Sequence, residues 1–298
     1  MHIGIDLGGS KIEVAAFDSL HQKVFCQRVA TPQGDYAATL NSIKALVAQA
    51  EAELQQTCTV GLGTPGSPSA LTGAMKNCNS TCLNGQYLQA DIEVLLGRPV
   101  RIANDANCFA LSEAVDGAAV NAAVVFGVIL GTGVGGGLVV KQQLLTGANH
   151  IAGEWGHNPL PAAAIKPELV GRVCYCGRRD CIETYLSGPG LTETFKRISS
   201  RQLAADQIVT LAEQGDQLAG QALADYQQQL AMALAQVINI VDPDVIVLGG
   251  GMSKTPSLYQ QVPQLWGEYV FNDEVLTQLQ PAHHGDASGV RGAARLWP

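Results

Sequence analysis

The pattern that most constrains the fold occurs twice, once near the start of each half of the chain. In both places a hydrophobic strand leads into a glycine-rich turn, and a second strand returns beside the first. The predicted segments are strand 2–7, turn 8–11 and strand 12–18 in the first half, and strand 124–130, turn 131–137 and strand 138–141 in the second. A chain of 298 residues is long enough for two hydrophobic cores. We therefore predict a structural repeat that forms two α/β lobes.

The rest of the chain predicts alternating strands and helices. In the first half we expect strand 24–29, helix 35–55, strand 58–63, a short helix ending at 95, strand 100–103 and a helix ending at 115. In the second half we expect helices 190–198, 205–214 and 217–241, strand 244–248, further helix and a closing helix at 288–297. This alternation is typical of α/β proteins.

The apolar segment 121–140 is long enough to raise the question of a membrane helix. Its middle, residues 131–137, contains five glycines, and glycine is a poor helix former. Two buried strands on either side of a turn fit this composition better, so we predict no membrane span.

The two glycine turns suggest a phosphate site. Gly131, Gly133 and Gly136 have the spacing of the dinucleotide fingerprint, but that fingerprint opens a helix, and here a strand follows. Glycines without side chains let backbone N–H groups approach phosphate oxygens from two directions. Asp6, beside the first turn, could then hold Mg²⁺. Either turn taken alone could also be an ordinary tight hairpin.

A metal site is predicted from three cysteines and one histidine. Cys174, Cys176 and Cys181 lie close together, and His157 precedes them. Three thiolates and one imidazole are a regular ligand set for structural zinc. The alternatives are disulfides, which need an oxidising compartment, or three buried thiols.

Two carboxylates flank this set, Glu154 before His157 and Glu183 after Cys181. A metal bound in an irregular loop would fix both carboxylates without a core beneath them. Fixed carboxylates accept hydrogen bonds from the hydroxyls of polyols such as sugars, and His157 could turn its second ring nitrogen to the same ligand. The simpler alternative is that both are solvated surface acids.

Composition narrows the class of partner and the compartment. The net charge is −8, and the lysines and arginines are scattered, so we predict no nucleic-acid partner. An acidic residue within the first six residues argues against a signal peptide. Eight cysteines in such a chain suggest a reducing interior, and we expect a cytoplasmic protein.

Several motifs resemble those of one known family. They are IGIDLGGSKIE at the start, ANDANC around Asp105, ILGTGVGGG, GEWGHNPLP, CYCGRRDCIETYLSG and DPDVIVLGGGMS, and together they cover the whole chain. The sequence resembles the ROK family (repressors, open reading frames and kinases), whose sugar kinases have an actin-like ATPase (ribonuclease H-like) fold. The resemblance implies two α/β lobes with a nucleotide and sugar cleft between them and a zinc-clipped loop. Residues 1–117, completed by helix 288–298, are expected to form the first lobe, and residues 118–287 the second.

The resemblance also implies roles for individual residues. Asp105 matches the catalytic base, although an aspartate at a strand-to-helix corner could also be a helix N-cap. The matched zinc ligands are His157, Cys174, Cys176 and Cys181. The matched sugar ligands are Asn104, Glu154, His157 and Glu183, with Gly66 and Asn79 in loops expected to line the same pocket. The expected nucleotide-binding residues are Gly4, Ile5, Asp6, Leu7, Gly8, Gly9, Ser10, Lys11, Gly131, Thr132, Gly133, Val134, Gly135, Gly136, Gly249, Gly250 and Gly251.

The implied activity is transfer of the γ-phosphoryl group of ATP to a primary hydroxyl of a hexose, with Mg²⁺ and structural Zn²⁺. Within the family, the segments NCNSTCLNG, SEAVDGAA and HGDASGVRGAARLWP resemble those of bacterial fructokinases that also take mannose. We therefore expect fructose as the best substrate, mannose next, glucose weaker and N-acetylhexosamines poor. The alternatives are a kinase for glucose or an N-acetylhexosamine, and a non-catalytic sugar sensor. The family also suggests a homodimer.

Overall fold

A computed structural model describes residues 1–297, apart from the side chain of Asp286. The strands are β1 (His2–Leu7), β2 (Lys11–Phe17), β3 (Lys23–Ala30), β4 (Thr59–Thr64), β5 (Ser67–Pro68), β6 (Met75–Lys76), β7 (Val100–Asn104), β8 (Val124–Leu130), β9 (Val134–Val140), β10 (Gln143–Leu144), β11 (Val245–Gly249) and β12 (Gln278–Pro281). The α-helices are α1 (Tyr36–Leu54), α2 (Leu88–Leu96), α3 (Asp105–Val115), α4 (Glu183–Leu186), α5 (Gly188–Ser199), α6 (Ala205–Glu213), α7 (Gln217–Val241), α8 (Ser257–Trp266) and α9 (Ser288–Ala294).

The predicted repeat is present in the order of the strands. One five-stranded sheet runs β3-β2-β1-β4-β7, and the other runs β10-β9-β8-β11-β12. In each sheet the first three strands pair antiparallel, and the last three pair parallel. The predicted two-lobed α/β fold is confirmed.

Two helices lie between the sheets and join them. Helix α9 packs on the first sheet, where Val290 and Ala294 cluster with Ala15 and Phe17. Helix α3 packs on the second sheet and against α9. Because α9 is the last helix of the chain, it closes the core under the strand with which the chain begins. The proposed lobe boundary between residues 117 and 118 stays a prediction, and Pro298 lies outside the described residues.

A buried carboxylate fastens α3 to the segment before α9. Glu113 is fully buried and accepts hydrogen bonds from four donors on three segments. These donors are the N–H groups of Ala118 (2.9 Å), His283 (2.9 Å) and His284 (3.1 Å) and the Ser288 hydroxyl (2.7 Å). A buried charge is tolerated when every lone pair meets a donor, so Glu113 stabilises the contact between the lobes.

The apolar segment 121–140 forms β8 and β9, as predicted, but its turn is shorter than expected. Strand β9 begins at Val134, so Gly135 and Gly137 lie inside a strand rather than in a turn. A side chain at Gly135 would lie 2.9 Å from Ala106 Cβ, and one at Gly137 would lie 2.8 Å from the Ala106 carbonyl. These glycines therefore allow α3 to approach the sheet closely. Within residues 1–297, no helix has the length and apolarity needed to cross a membrane.

Candidate active site

The candidate site lies where the carboxyl ends of the parallel strands β1, β4 and β7 meet, the usual place for ligands in open α/β sheets. Asp6 comes near the end of β1, and Asp105 is the first residue of α3, directly after β7. The two carboxylates are close enough for the charge of Asp105 to act on Asp6. Two acidic groups from different strands therefore share one end of the cleft.

Asp105 is not the N-cap of its helix. The cap is Asn104, whose Oδ1 accepts a hydrogen bond of 2.8 Å from the Ala106 N–H. Asp105 Oδ1 accepts from the same N–H at 2.7 Å, and the Asn104 side chain also stabilises the charged form of this carboxylate. The capping function is thus already served by the neighbour, and the Asp105 carboxylate is available to a ligand.

The electrostatic surroundings of Asp105 raise its pKa above the usual range of an aspartate, which favours a role as proton acceptor. Asp105 is exposed to the cleft, yet the protein around it displaces water. This desolvation raises the pKa of Asp105, the Ala106 N–H opposes the rise, and the charge of Glu154 adds to it. Desolvation, Asp105 and Glu13 likewise raise the pKa of Asp6 to about 6.

The second glycine turn is bonded to the segment that follows the cysteines. The Val134 N–H donates to Glu183 Oε2 at 3.0 Å. The Gly131 carbonyl accepts from the N–H of Gly188, the first residue of α5, at 2.8 Å. This turn and the start of α4 and α5 therefore form one bonded unit.

A cavity of about 860 Å³ opens beside this turn. Three residues expected to bind nucleotide line it: Gly131, Thr132 and Gly251. Its other walls come from α5, α6 and the segment after β11, including the apolar Val209 and two exposed cations, Lys196 and Lys254. Sequence reasoning missed these walls, because nothing in a helix sequence marks which face meets a distant turn.

Not all of the residues expected at the nucleotide reach this cavity. Gly4, Ile5 and Leu7 are buried within β1, and Gly136 and Gly249 are also buried. Gly250 lies against the Leu130 carbonyl, where a side chain would be 2.5 Å from the oxygen. On the first turn, Gly8 to Lys11 are at least partly accessible. The buried residues shape the strands and turns, and the accessible ones are those that a nucleotide could contact.

Glu154 is a half-buried carboxylate without a bonded partner among residues 1–297. Burial raises the pKa of Glu154, the electrostatic interaction with His157 lowers it, Glu183 raises it, and Lys76 lowers it. Lys76 itself donates to the Asn149 carbonyl at 3.2 Å and so bridges the two lobes at this end of the cleft. Sequence reasoning gave no role to Lys76.

Asn104, Gly66 and Asn79 differ in how closely the structure brings them to the site. Asn104 Nδ2 donates to the Gly66 carbonyl at 3.4 Å, so these two residues are neighbours. Gly66 has a φ of 72° and lies against the Lys76 carbonyl, so a larger residue would not fit there. Asn79 is exposed, and no described residue bonds to its side chain.

The structure brings together all four predicted metal ligands. The ligand atoms of His157, Cys174, Cys176 and Cys181 lie within 4.8 Å of one another. Cys174 Sγ is 3.6 Å from His157 Nδ1, and Cys176 Sγ is 3.6 Å from Cys181 Sγ. A regular tetrahedron with Zn–S bonds of about 2.3 Å has edges of about 3.8 Å. The cluster therefore has the size and the ligand set to bind zinc.

One thiol of this cluster, that of Cys176, has a lowered pKa, which favours its thiolate form. Desolvation opposes the charge on Cys176, but hydrogen bonds from the Arg178 N–H and from the other two thiols lower its pKa to about 6. Because a thiolate is the form that binds a metal, this thiol suits a cation.

A second network holds the loop from behind. The buried guanidinium of Arg172 donates to the carbonyls of Thr184 (2.7 Å) and Gly190 (3.0 Å) and stacks 4.0 Å above the Tyr185 ring. Asp180 accepts from the Tyr185 hydroxyl at 2.6 Å. Since Thr184 follows Glu183, this network fixes the start of α4 and the carboxylate it carries.

Tyr175 is a further neighbour of the cluster. Its hydroxyl lies 3.0 Å from His157 Nε2. Burial, together with the charges of Glu183 and Glu154, raises the pKa of Tyr175 to about 12. The sequence places this tyrosine between two cysteines but does not show where its ring points.

Comparison with known proteins agrees with this arrangement. The sequence model of the ROK family matches residues 2–298. The N-acetyl-D-glucosamine kinases of Yersinia enterocolitica and of Escherichia coli O139:H28 are each 40% identical to the chain over 301 residues, which is 99% of this chain and 99% of each relative.

Solved structures share the fold over nearly the full length. The ROK hexokinase of Thermus thermophilus has a TM-score of 0.87 and 28% identity, covering 99% of this chain and 96% of that one. The ROK family glucokinase of Streptomyces griseus, solved with glucose and AMPPNP, has a TM-score of 0.77 and 26% identity, covering 99% of this chain and 98% of that one. The chain therefore belongs to the ROK family, and it has the two-lobed α/β fold of that family's sugar kinases.

Proposed function

We propose that the chain is an ATP-dependent sugar kinase whose best substrate is N-acetyl-D-glucosamine. The observation that carries the choice of sugar is the 40% identity with N-acetyl-D-glucosamine kinases over the full length of both chains. The expectation of a fructokinase is not supported by these relatives, and they favour the alternative of an N-acetylhexosamine kinase. Short motifs resembling fructokinases weigh less than identity along the whole chain.

Asp105 acts as the general base in this proposal. The Asp105 carboxylate would accept the proton of the primary hydroxyl as the hydroxyl oxygen attacks the γ-phosphorus of ATP. The raised pKa suits this role, because a stronger base takes the proton more readily. Asn104, held by its bonds to Ala106 and Gly66, would position a second hydroxyl and so fix the direction of attack.

The nucleotide would occupy the cavity beside the second glycine turn. Gly131 and Thr132 lie at its phosphate end in this proposal, Gly251 lies under the adenosine, and Lys196 and Lys254 supply positive charge. Asp6, in the same end of the cleft as Asp105, is the residue that would hold Mg²⁺, which supplies charge neutralisation for the phosphates.

Glu154, His157 and Glu183 would bind the hydroxyls at the far end of the sugar ring. Glu154 suits this role best, because it is half-buried and has no described donor. A sugar hydroxyl would supply that missing partner. Zinc on His157 and the three cysteines would hold this wall of the pocket in place. The homodimer and the absence of a nucleic-acid partner stay predictions.

The test is a coupled ADP-release assay with five sugars under one set of conditions. N-acetylglucosamine should have the highest kcat/KM, ahead of N-acetylmannosamine, glucose, fructose and mannose. A higher value for fructose would refute the choice of substrate but not the kinase activity. If the protein bound a sugar but phosphorylated none of the five, this would refute the kinase activity and favour a sensor.

The base is tested with Asp105→Asn, which should reduce turnover by about 10²–10⁴-fold. The matched control is Asp35→Asn, because Asp35 is the N-cap of α1 and accepts from the Ala38 N–H at 2.9 Å. If both variants lost only stability and kept their turnover, Asp105 would have no catalytic role.

A further inference from the structure

The hydroxyl of Tyr175 occupies the one ring nitrogen of His157 that is left for a ligand. His157 Nδ1 points to the thiols, 3.6 Å from Cys174 Sγ, and Nε2 lies 3.0 Å from the Tyr175 hydroxyl. The two rings meet edge to face, with centroids 5.2 Å apart at an angle of 85°. An imidazole nitrogen carries either one proton or one lone pair, so it forms one strong hydrogen bond. Tyr175 and a sugar hydroxyl therefore cannot both be bonded to Nε2.

The surroundings of the Tyr175 hydroxyl support competition at the sugar site. The charges of Glu183 and Glu154 both act on the phenol, so the hydroxyl lies among the proposed sugar ligands. The remainder of the side chain is held weakly, since 76% of the residue is exposed to solvent. No other hydrogen bond fixes the hydroxyl among residues 1–297. Rotation of the ring away from His157 therefore breaks one solvent-exposed hydrogen bond and little packing.

We propose that Tyr175 is a built-in competitor that binds His157 in the free enzyme and is displaced by the sugar. This inference rests on the proposed role of His157 as a sugar ligand. The displaced hydroxyl returns to water, and the sugar hydroxyl takes its place on Nε2. Tyr175 thus weakens sugar binding by the strength of one exposed hydrogen bond. It leaves the phosphoryl transfer unchanged, because the Tyr175 hydroxyl bonds to His157 and not to Asp105, and Tyr175 does not line the nucleotide cavity.

The test variant is Tyr175→Phe, which removes the hydroxyl and keeps the ring. The KM for the best hexose should fall about twofold to tenfold, as expected for the loss of one competing hydrogen bond, and kcat should not change. The dissociation constant of the sugar, measured by titration without ATP, should fall by the same factor. Tyr87→Phe is a matched control, because Tyr87 is also exposed and its hydroxyl bonds to no described residue.

The zinc content of Tyr175→Phe must equal that of the wild type. A second variant, Tyr175→Leu, must also have a lower KM for the sugar than the wild type. An unchanged KM in both variants would show that the bond to His157 does not oppose binding. A raised KM would show that Tyr175 contacts the sugar directly, and it would overturn the proposal. Failure of the proposed function would be a separate result, seen as absence of turnover in the wild type. The sugar titration without ATP would still compare the dissociation constants of the wild type and Tyr175→Phe.

Discussion

Replacing Asp6 with asparagine should make the protein more stable and less active. The Asp6 carboxylate receives no hydrogen bond from the described residues, so asparagine removes a charge without breaking a bond. Burial and the negative charges of Asp105 and Glu13 make that charge unfavourable, and they raise the pKa of Asp6 from 3.8 to about 6.

The size and sign of the effect depend on this pKa. Above pH 6 the group is ionised in both the folded and the unfolded protein, and the folded state carries the full cost of the charge. A difference between 3.8 and about 6 corresponds to about 3 kcal/mol. Between these values the folded state binds a proton that the unfolded state does not, so wild-type stability falls as pH rises. The stability gained by Asp6→Asn should therefore be small near pH 4 and reach about 3 kcal/mol above pH 6.

The assay is urea unfolding of the wild type and Asp6→Asn at pH 5 and pH 8, without nucleotide or magnesium. We expect a gain of about 3 kcal/mol at pH 8 and about half of that at pH 5. Asp273→Asn, a change at an exposed acid, controls for the loss of charge alone. A variant no more stable than the wild type at pH 8 would refute the cost assigned to the Asp6 charge, which comes first from burial and then from repulsion by Asp105 and Glu13. So would a gain that is the same at both pH values.

Three further predictions test the other parts of the site. Cys176→Ser should lower the zinc content, measured by metal analysis. It should also raise the KM for sugar, because the side of the proposed sugar pocket that carries Glu183 loses its metal. Normal sugar binding without zinc would contradict this. Gly133→Ala would place a methyl group 2.5 Å from Glu183 Oε2. It should raise the KM for sugar several-fold with a stability change below about 1 kcal/mol in urea unfolding, since a side-chain end can move; an unchanged KM would mean that Glu183 does not contact the sugar. Glu113→Gln keeps one side-chain oxygen, which can accept from two of the four donors, Ser288 being one of the four, and leaves the other two donors without an acceptor. It should therefore lower the free energy of unfolding, measured in urea, by about 2–6 kcal/mol. A loss under about 1 kcal/mol would show that water replaces the carboxylate oxygen.

The sequence was sufficient for elements that have strong local signals. Helix α7 has the predicted bounds, and α1 is capped by Asp35 and ended by Gln55 at a φ of 52°. The four candidate metal ligands were predicted because their residue types allow few other roles, and the structure brings them together. Strand β12 (Gln278–Pro281) was missed, because it is a short, polar edge strand whose pairing with β11 depends on a distant part of the chain.

Contacts between distant segments could not be predicted in the same way. The glycines of β9 suggested a turn. In the structure they lie in a strand and allow α3 to pack closely against it, and this contact between two distant elements has no local signal. The closing helix ends at Ala294 rather than Trp297, whose indole N–H donates instead to the Val60 carbonyl at 2.7 Å. Tyr175 and Lys76 have no signal of their own, since Tyr175 lies in the cysteine loop and Lys76 in β6, and only the folded chain brings both close to Glu154.

The bond between Glu183 and Val134 gives a physical reason for a metal site in this part of the fold. Residues 157–181 contain no α-helix, and their strand pairing is limited to two isolated bridges. A loop of this kind has little regular structure to hold a carboxylate in one position. Yet Glu183 Oε2 lies 3.0 Å from the Val134 N–H, in one of the two bonds that join the second glycine turn to the segment after the cysteines. A metal bound by Cys181, two residues before Glu183, would restrain the chain at that point without a hydrophobic core. In the proposed function Glu183 binds the sugar and the second glycine turn binds the phosphates, so the bond between Glu183 and Val134 would position both substrates together.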